Sequence, residues 1–295
     1  MSHLSLLQRF VTTVGILPVP NASSLSQHWK RSTLRHVRMS HNRYLPNELD
    51  ADARLRVFAF PYAGGGAAQY FRWRAALPRG IDLVPLQLPG REARSGEPAI
   101  NDMRALVAEV ADAITPLVDR SYALLGHSLG AWIALEVARE LRRRSAAAPR
   151  VLIVAASPAP QRPRTSDGLH QLPDAEFVAE MTRRFNGIPA AVQANEQLLQ
   201  LCLPAMRADM ELLDSYRYGA EPPLAADLIT LGGAEDRAVS ATALADWQQQ
   251  TSGSYASRLW PGDHFFLFQA ARNAAAPLSP AAHWLVARLE RYVDP

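Results

Sequence analysis

Tyr122-Ala123-Leu124-Leu125-Gly126-His127-Ser128-Leu129-Gly130 decides how the rest of this 295-residue chain is read. A short apolar run of strand character leads straight into G-x-S-x-G, and Ala131-Trp132-Ile133-Ala134-Leu135 continues as a helix would. The pentapeptide alone is weak, because at average composition roughly one chain in ten of this size contains it by chance. Its position between strand and helix gives it weight. A serine on a sharp strand–turn–helix corner needs small neighbours, and Gly126 and Gly130 supply them. A serine hydroxyl is a poor nucleophile until a base takes its proton, so Ser128 as nucleophile requires a base elsewhere in the chain.

On both sides of this stretch, short apolar runs alternate with helical ones. Residues 56–60, 83–88, 122–125, 151–155, 228–231 and 255–259 have strand length and near-continuous apolarity, which suits parallel strands covered on both faces. Between residues 102 and 118, Met103, Leu106, Val107, Val110, Ile114 and Leu117 form one stripe at helical spacing. Residues 132–141 form a second helix, and Ser279-Pro280 opens a last one with Pro in its first turn. Strand–helix alternation of this kind implies an α/β fold around a mostly parallel, doubly wound sheet.

Residues 160–222 interrupt the alternation. Phe177, Met181 and Phe185 recur every four residues before Asn186-Gly187, and Leu199, Cys202, Met206, Met210 and Leu213 line a second stretch. Pro204 is expected to kink that stretch or start a new helix. Such stripes suit ordinary core-facing helices or a helical lid over a site. Residues 51–295 are therefore read as one domain carrying an inserted lid at about 160–222.

The first 50 residues form an N-terminal extension with a different character. Its apolar run at 10–17 is short, its basic region thin, and no convincing cleavage site follows. It is expected to be a disordered tail, or a start assigned upstream of Met39, with a targeting or partner-binding role as the alternative. Arg9, Lys30, Arg31, Arg35, Arg38 and Arg43 lie in residues 1–47, which contain no acid. The formal charge of +3 belongs to them, since the other 248 residues carry 25 basic against 28 acidic side chains. The body thus has no nucleic-acid footprint of charge. At 48% hydrophobic and 20% charged residues, the chain has ordinary globular composition. No stretch approaches the roughly 20 apolar residues of a membrane helix. The single Cys202 excludes an internal disulfide, and a cytoplasmic protein is expected.

Of eight histidines, four (His3, His28, His36, His41) lie in the extension, His127 sits inside the elbow, His170 in the lid and His283 in the last helix. His264 remains, in Gly262-Asp263-His264-Phe265-Phe266, directly after the last strand run. Loops at the carboxyl ends of strands are where such sheets place their active groups. His264 is the expected base. The chain order Ser…Asp…His then asks for a carboxylate between 128 and 264. Asp236 follows strand run 228–231, with Glu235 its neighbouring rival, while the end of the preceding run offers only Ser157. An oxyanion hole needs two backbone N–H groups, expected from Leu129 and from Ala63 in Pro61-Tyr62-Ala63-Gly64-Gly65-Gly66. That glycine loop has neither the lysine of a P-loop nor G-x-G-x-x-G spacing.

Residues 55–270 resemble the type II thioesterases that accompany modular polyketide synthases and nonribosomal peptide synthetases. The resemblance rests on Phe60-Pro61-Tyr62-Ala63-Gly64-Gly65, on Gln87-Leu88-Pro89-Gly90-Arg91 with Glu97-Pro98, on the elbow at 126–130, and on Gly262-Asp263-His264-Phe265-Phe266-Leu267. Leu203-Pro204-Ala205-Met206-Arg207-Ala208-Asp209 resembles that family's lid segment, and Tyr62 stands where many members have His. An acid after run 228–231 is closer to these stand-alone enzymes than to the product-releasing domains built into synthases. The resemblance implies an α/β-hydrolase fold and hydrolysis of acyl or aminoacyl thioesters on the phosphopantetheine arm of carrier proteins. It implies no metal or cofactor and a carrier-protein partner. A monomer is expected. Three alternatives stand beside it: a product-releasing thioesterase, a general esterase, and an inactive hydrolase-like module that only binds carriers.

Overall fold

The computed structural model describes residues 42–162, 167–269 and 278–293. All six strand runs form strands, in one parallel sheet of order β2-β1-β3-β4-β5-β6. They are β1 (Leu55–Phe60), β2 (Ile81–Pro85), β3 (Ser121–His127), β4 (Val151–Ala155), β5 (Asp227–Gly233) and β6 (Tyr255–Trp260). The helices are α1 (Phe71–Arg74), α2 (Met103–Ile114), α3 (Leu129–Arg143), α4 (Asp174–Phe185), α5 (Ala190–Gln193), α6 (Glu196–Ser215), α7 (Ala241–Ala245) and α8 (Pro280–Leu289). From β1 the chain pairs first with β2 on one side and then with β3 on the other. Reversals of this kind open a crevice at the carboxyl ends of the strands.

Alternate residues of β3 feed two cores. Leu124 faces one with α2 and α3, while Leu125 faces another with Trp73 and α8. Near-continuous apolarity in β1, β3 and β4 thus reflects burial on both faces. β6 departs from that pattern: it is one of the two edge strands, and unlike β2 at the other edge it leaves Ser257, Arg258 and Leu259 exposed. β2 starts two residues earlier than its apolar run and ends at Pro85. Asp82 hid that start: it is buried, and its carboxylate accepts the Asp50 N–H at 3.0 Å.

Side chains stop and start the helices where the residue types indicate. Asp102 caps α2 through the Ala105 N–H, Asn195 caps α6 through that of Leu198, and Ser279 caps α8 through that of Ala282. α4 ends at Asn186 with φ +54°, the left-handed cap that asparagine tolerates. At Pro204, where a kink or a new helix was expected, no new helix starts, since α6 continues through it. Pro204 lies on the exposed side, so the Gln200 carbonyl that loses its amide partner can bond water.

α4, α5 and α6 form an insertion between β4 and β5 with an apolar cluster of its own, including Phe177, Met181, Ile188, Leu198, Met206 and Met210. The boundary at residue 50 is corrected at its inner end. Tyr44 is buried on α2, with its hydroxyl 2.7 Å from Glu109, and the Asn42 amide donates to the Ala113 carbonyl. Residues 42–50 therefore pack with the body, while residues 1–41, the rest of the expected extension, lie outside the described residues. Among the described residues no helix is long and apolar enough to cross a membrane.

Candidate active site

Ser128 sits on the corner between β3 and α3 with φ +54° and ψ −118°. A non-glycine residue there carries roughly 1–3 kcal/mol of backbone strain, so its surroundings must hold it. The Ser128 N–H donates to the Ala155 carbonyl at 2.8 Å, and the Ser128 carbonyl accepts the Ala131 N–H at 3.0 Å. A methyl group on Gly126 would overlap the backbone of Gly130 and Ala131, and one on Gly130 the carbonyls of Phe60 and Pro61. Both glycines are thus required by backbone-on-backbone contact, which is how the elbow can stand so close to the end of β1.

His264 Nε2 lies 3.0 Å from Ser128 Oγ, and its Nδ1 lies 2.8 Å from Asp236 Oδ2. Loop 262–266 is brought under the end of β5 by Gly233, where any side chain would overlap the Gly262 and Asp263 carbonyls. The Asp236 carboxylate is wholly buried, and its other oxygen accepts the N–H groups of Ala238 and Val239 at 2.8 and 3.2 Å. Both oxygens are therefore committed, one to the turn and one to the imidazole. Glu235 is exposed and turned away, accepting from the Gly262 amide. Ser157 lines the cavity, and its carbonyl is held by the Trp247 indole at 2.8 Å.

Ala63 and Leu129 line the same cavity of about 420 Å³ as Ser128 and His264. Among the described residues neither of their amides donates to a protein acceptor. The structure so brings together all five expected site residues: three side chains in one hydrogen-bonded chain, and two amides on the same cavity. Such an arrangement can move a proton from an alcohol to an imidazole and stabilise an oxyanion. The lid closes the cavity with Met181, Phe185 and Met210, and Arg183, Arg184 and Arg237 stand on its wall.

Three features went unread in the sequence. His127 is fully buried, stacked on Phe265 and edge-on to Tyr62, His264 and Phe268. Neither of its ring nitrogens has a partner with hydrogen-bond geometry. Burial pushes its pKa well below the usual histidine value, and the charge of His264 adds to this, with only the His264 backbone pulling the other way. Burial likewise pushes the Tyr62 hydroxyl up to about 12. The second feature joins two motifs 118 residues apart: Arg91 binds Asp209 of α6 with both its terminal nitrogens, at 2.6 and 2.8 Å. Asp209 also accepts the Gly64 N–H at 2.7 Å, inside the glycine loop. Third, a separate cavity of about 210 Å³ lies on the other side of that loop, lined by Ile188, Val192, Leu198, Leu201, Cys202 and Met206. Burial raises the Cys202 thiol, so it is an inert wall residue there. Among the described residues no cluster of side chains could hold a metal ion.

A model of the thioesterase domain matches residues 55–278. The gramicidin S biosynthesis protein GrsT of Aneurinibacillus migulanus is 37% identical over 229 residues, which is 77% of this chain and 89% of that protein. The structure of RedJ, a thioesterase from the prodiginine pathway of Streptomyces coelicolor, superposes with a TM-score of 0.72 at 34% identity, covering 82% of this chain and 91% of RedJ. BorB, the type II thioesterase of the borrelidin biosynthetic cluster, gives 0.73 at 29% identity over 85% of this chain and 96% of its own.

Proposed function

The chain belongs to the thioesterase family, and from that premise we propose that it hydrolyses acyl or aminoacyl thioesters from the phosphopantetheine arm of carrier proteins, clearing stalled or misprimed synthase modules. Ser128 Oγ attacks the thioester carbonyl while His264 Nε2 takes its proton. Asp236 holds the imidazole tautomer and stabilises the imidazolium without itself taking a proton. The amides of Ala63 and Leu129 receive the developing oxyanion. Collapse expels the pantetheine thiolate, which takes the proton from His264 and leaves an acyl-Ser128 ester. Water, deprotonated by His264, then releases the carboxylic acid and restores the serine. No cofactor is needed, and the partner is an acyl or peptidyl carrier protein, met by a monomer of this chain.

One observation carries the reading: the unbroken chain Asp236–His264–Ser128 at 2.8 and 3.0 Å, on a cavity roofed by the lid. A module that merely bound carriers would need neither of these two bonds. Ser128→Ala should fold normally and lose about 10⁴-fold or more in kcat. A fluorophosphonate should label the Ser128 peptide stoichiometrically, and label on another serine would overturn the assignment. Incubation with a panel of acyl-loaded carriers, followed by intact-mass measurement, tests the substrate. Carrier-bound short acyl groups should be cleared faster than the same groups on coenzyme A, because carrier contacts orient the thioester. Equal kcat/KM for the two, or faster turnover of long-chain glycerol esters, would favour a general esterase.

A further inference from the structure

We infer that Asp209 of the lid is a positioning residue for the oxyanion hole, fixing the loop that presents the Ala63 amide, with Arg91 as its clamp. The inference rests on the serine-hydrolase reading above. An oxyanion donor works only when its N–H is aimed before the charge develops. Here the loop that must be aimed contains Gly64, Gly65 and Gly66, and glycine gives up more conformational freedom than any other residue when it is ordered. Gly64 has φ +76°, so the loop depends on that freedom and needs external bonds to restrict it.

Those bonds come from two residues outside the loop. The Asp209 carboxylate accepts the Gly64 N–H at 2.7 Å. Arg91 donates to the Gly65 carbonyl at 3.1 Å and to both Asp209 oxygens. A third tie follows the loop, where Glu92 accepts the N–H groups of Ala67 and Ala68 at 3.1 and 3.2 Å. Asp209 is 1% exposed and Arg91 7%, so the pair lies out of solvent.

A buried ion pair is a poor route to stability, since desolvation offsets most of the attraction and apolar side chains often do as well. What Leu or Met at position 209 could not do is accept the Gly64 N–H. Electrostatics explains why Arg91 must accompany it. An unpaired carboxylate one residue from the proposed donor would oppose a developing oxyanion, and the bidentate guanidinium cancels that charge. Because Asp209 belongs to α6, the aim of the loop also depends on the lid being seated.

The test reads turnover per titrated active site together with the affinity of a trifluoromethyl ketone, whose adduct with a serine mimics the oxyanion. Asp209→Ala should lower kcat about tenfold or more with KM little changed, below the loss caused by removing a donor outright. Ketone affinity should fall by the same factor, while the pH midpoint of kcat/KM stays in place. Asp209→Asn, which keeps an oxygen for Gly64, should recover most of that loss. If Asp209→Ala leaves Arg91 unpaired and does not fold, Arg91→Met/Asp209→Leu removes both charges and should show the same paired losses. Wild-type turnover and ketone affinity per active site in the Ala or double variant, whatever their Tm, would overturn the inference. Failure of the ketone to bind the wild type would instead sink the serine-hydrolase reading.

Discussion

At the elbow backbone is pressed on backbone, whereas across the lid side chains meet side chains. Gly126 and Gly130 admit the chain of α3 to the end of β1, and Gly233 admits loop 262–266 to the end of β5. The lid instead rests on Phe177, Met181, Met206 and Met210, plus the Arg91–Asp209 pair. Backbone contacts at a tight turn have almost no alternative arrangement, while methionine side chains have many. The first kind of contact suits a chemistry that needs one geometry. The second suits a roof over acyl groups of varied shape.

That contrast breaks most visibly at its glycines. Gly130→Ala puts a methyl group onto the Phe60 and Pro61 carbonyls, neither of which can rotate away. It should cost about 3 kcal/mol or more in urea denaturation, at the upper end for overpacking. Gly187→Ala in the lid meets the Phe265 ring and the Phe185 Cβ at ordinary contact distance and should cost under about 1 kcal/mol. Gly219→Ala, facing open space, is the control. Similar costs at positions 130 and 187 would erase the distinction between the two regions.

The same contrast explains what could be read from the sequence. G-x-S-x-G, the apolar strand runs and the loops after β5 and β6 are local patterns whose geometry follows from short spacing. Four of the five candidate site residues could be picked out for that reason, and Ala63 from the glycine loop after β1. Arg91 and Asp209 lay in quoted motifs without a role, because no periodicity tells that residues 118 apart will pair. Tyr44 was missed because one aromatic among arginines and asparagines makes no stripe, although its ring stacks under Arg94 at 4.4 Å. Whether Pro204 starts a new helix was not legible, because its cost depends on whether the freed carbonyl faces water, which only the packing of α6 decides.

A smaller effect follows from His127, the fully buried histidine inside the elbow's aromatic cluster. Its folded pKa lies well below 6.5, so it is neutral in the folded state, whereas the unfolded chain takes up a proton below about 6.5. The stability tied to that neutrality is complete above 6.5 and is lost as pH falls from there toward the folded pKa. The slope is at most about 1.4 kcal/mol per pH unit. His127→Phe should therefore lose about 1 kcal/mol less than the wild type between pH 7.5 and 5.5, measured by urea denaturation at each pH. Parallel losses in the two proteins would mean that His127 does not titrate on unfolding.

The finest probe separates the two cavities that share Tyr62, Ala63 and Gly187. Met210 lines the one that holds Ser128, while Met206 lines the other and lies against Gly64. The acyl carbon must reach Ser128, so an acyl chain takes its room beside Met210. Met210→Trp should move the preferred acyl length shorter by several-fold in relative kcat/KM, while fluorophosphonate labelling of Ser128 persists. Met206→Trp should press on the glycine loop and slow all acyl lengths alike, through the donor rather than the pocket. Relative kcat/KM across a ladder of acyl-loaded carriers, normalised to titrated sites, distinguishes the two effects. A length shift in Met206→Trp with none in Met210→Trp would place the acyl chain in the second cavity. The soft side of the molecule would then be the apolar space beneath the glycine loop, with Leu198, Leu201 and Cys202 setting substrate length in place of Met210.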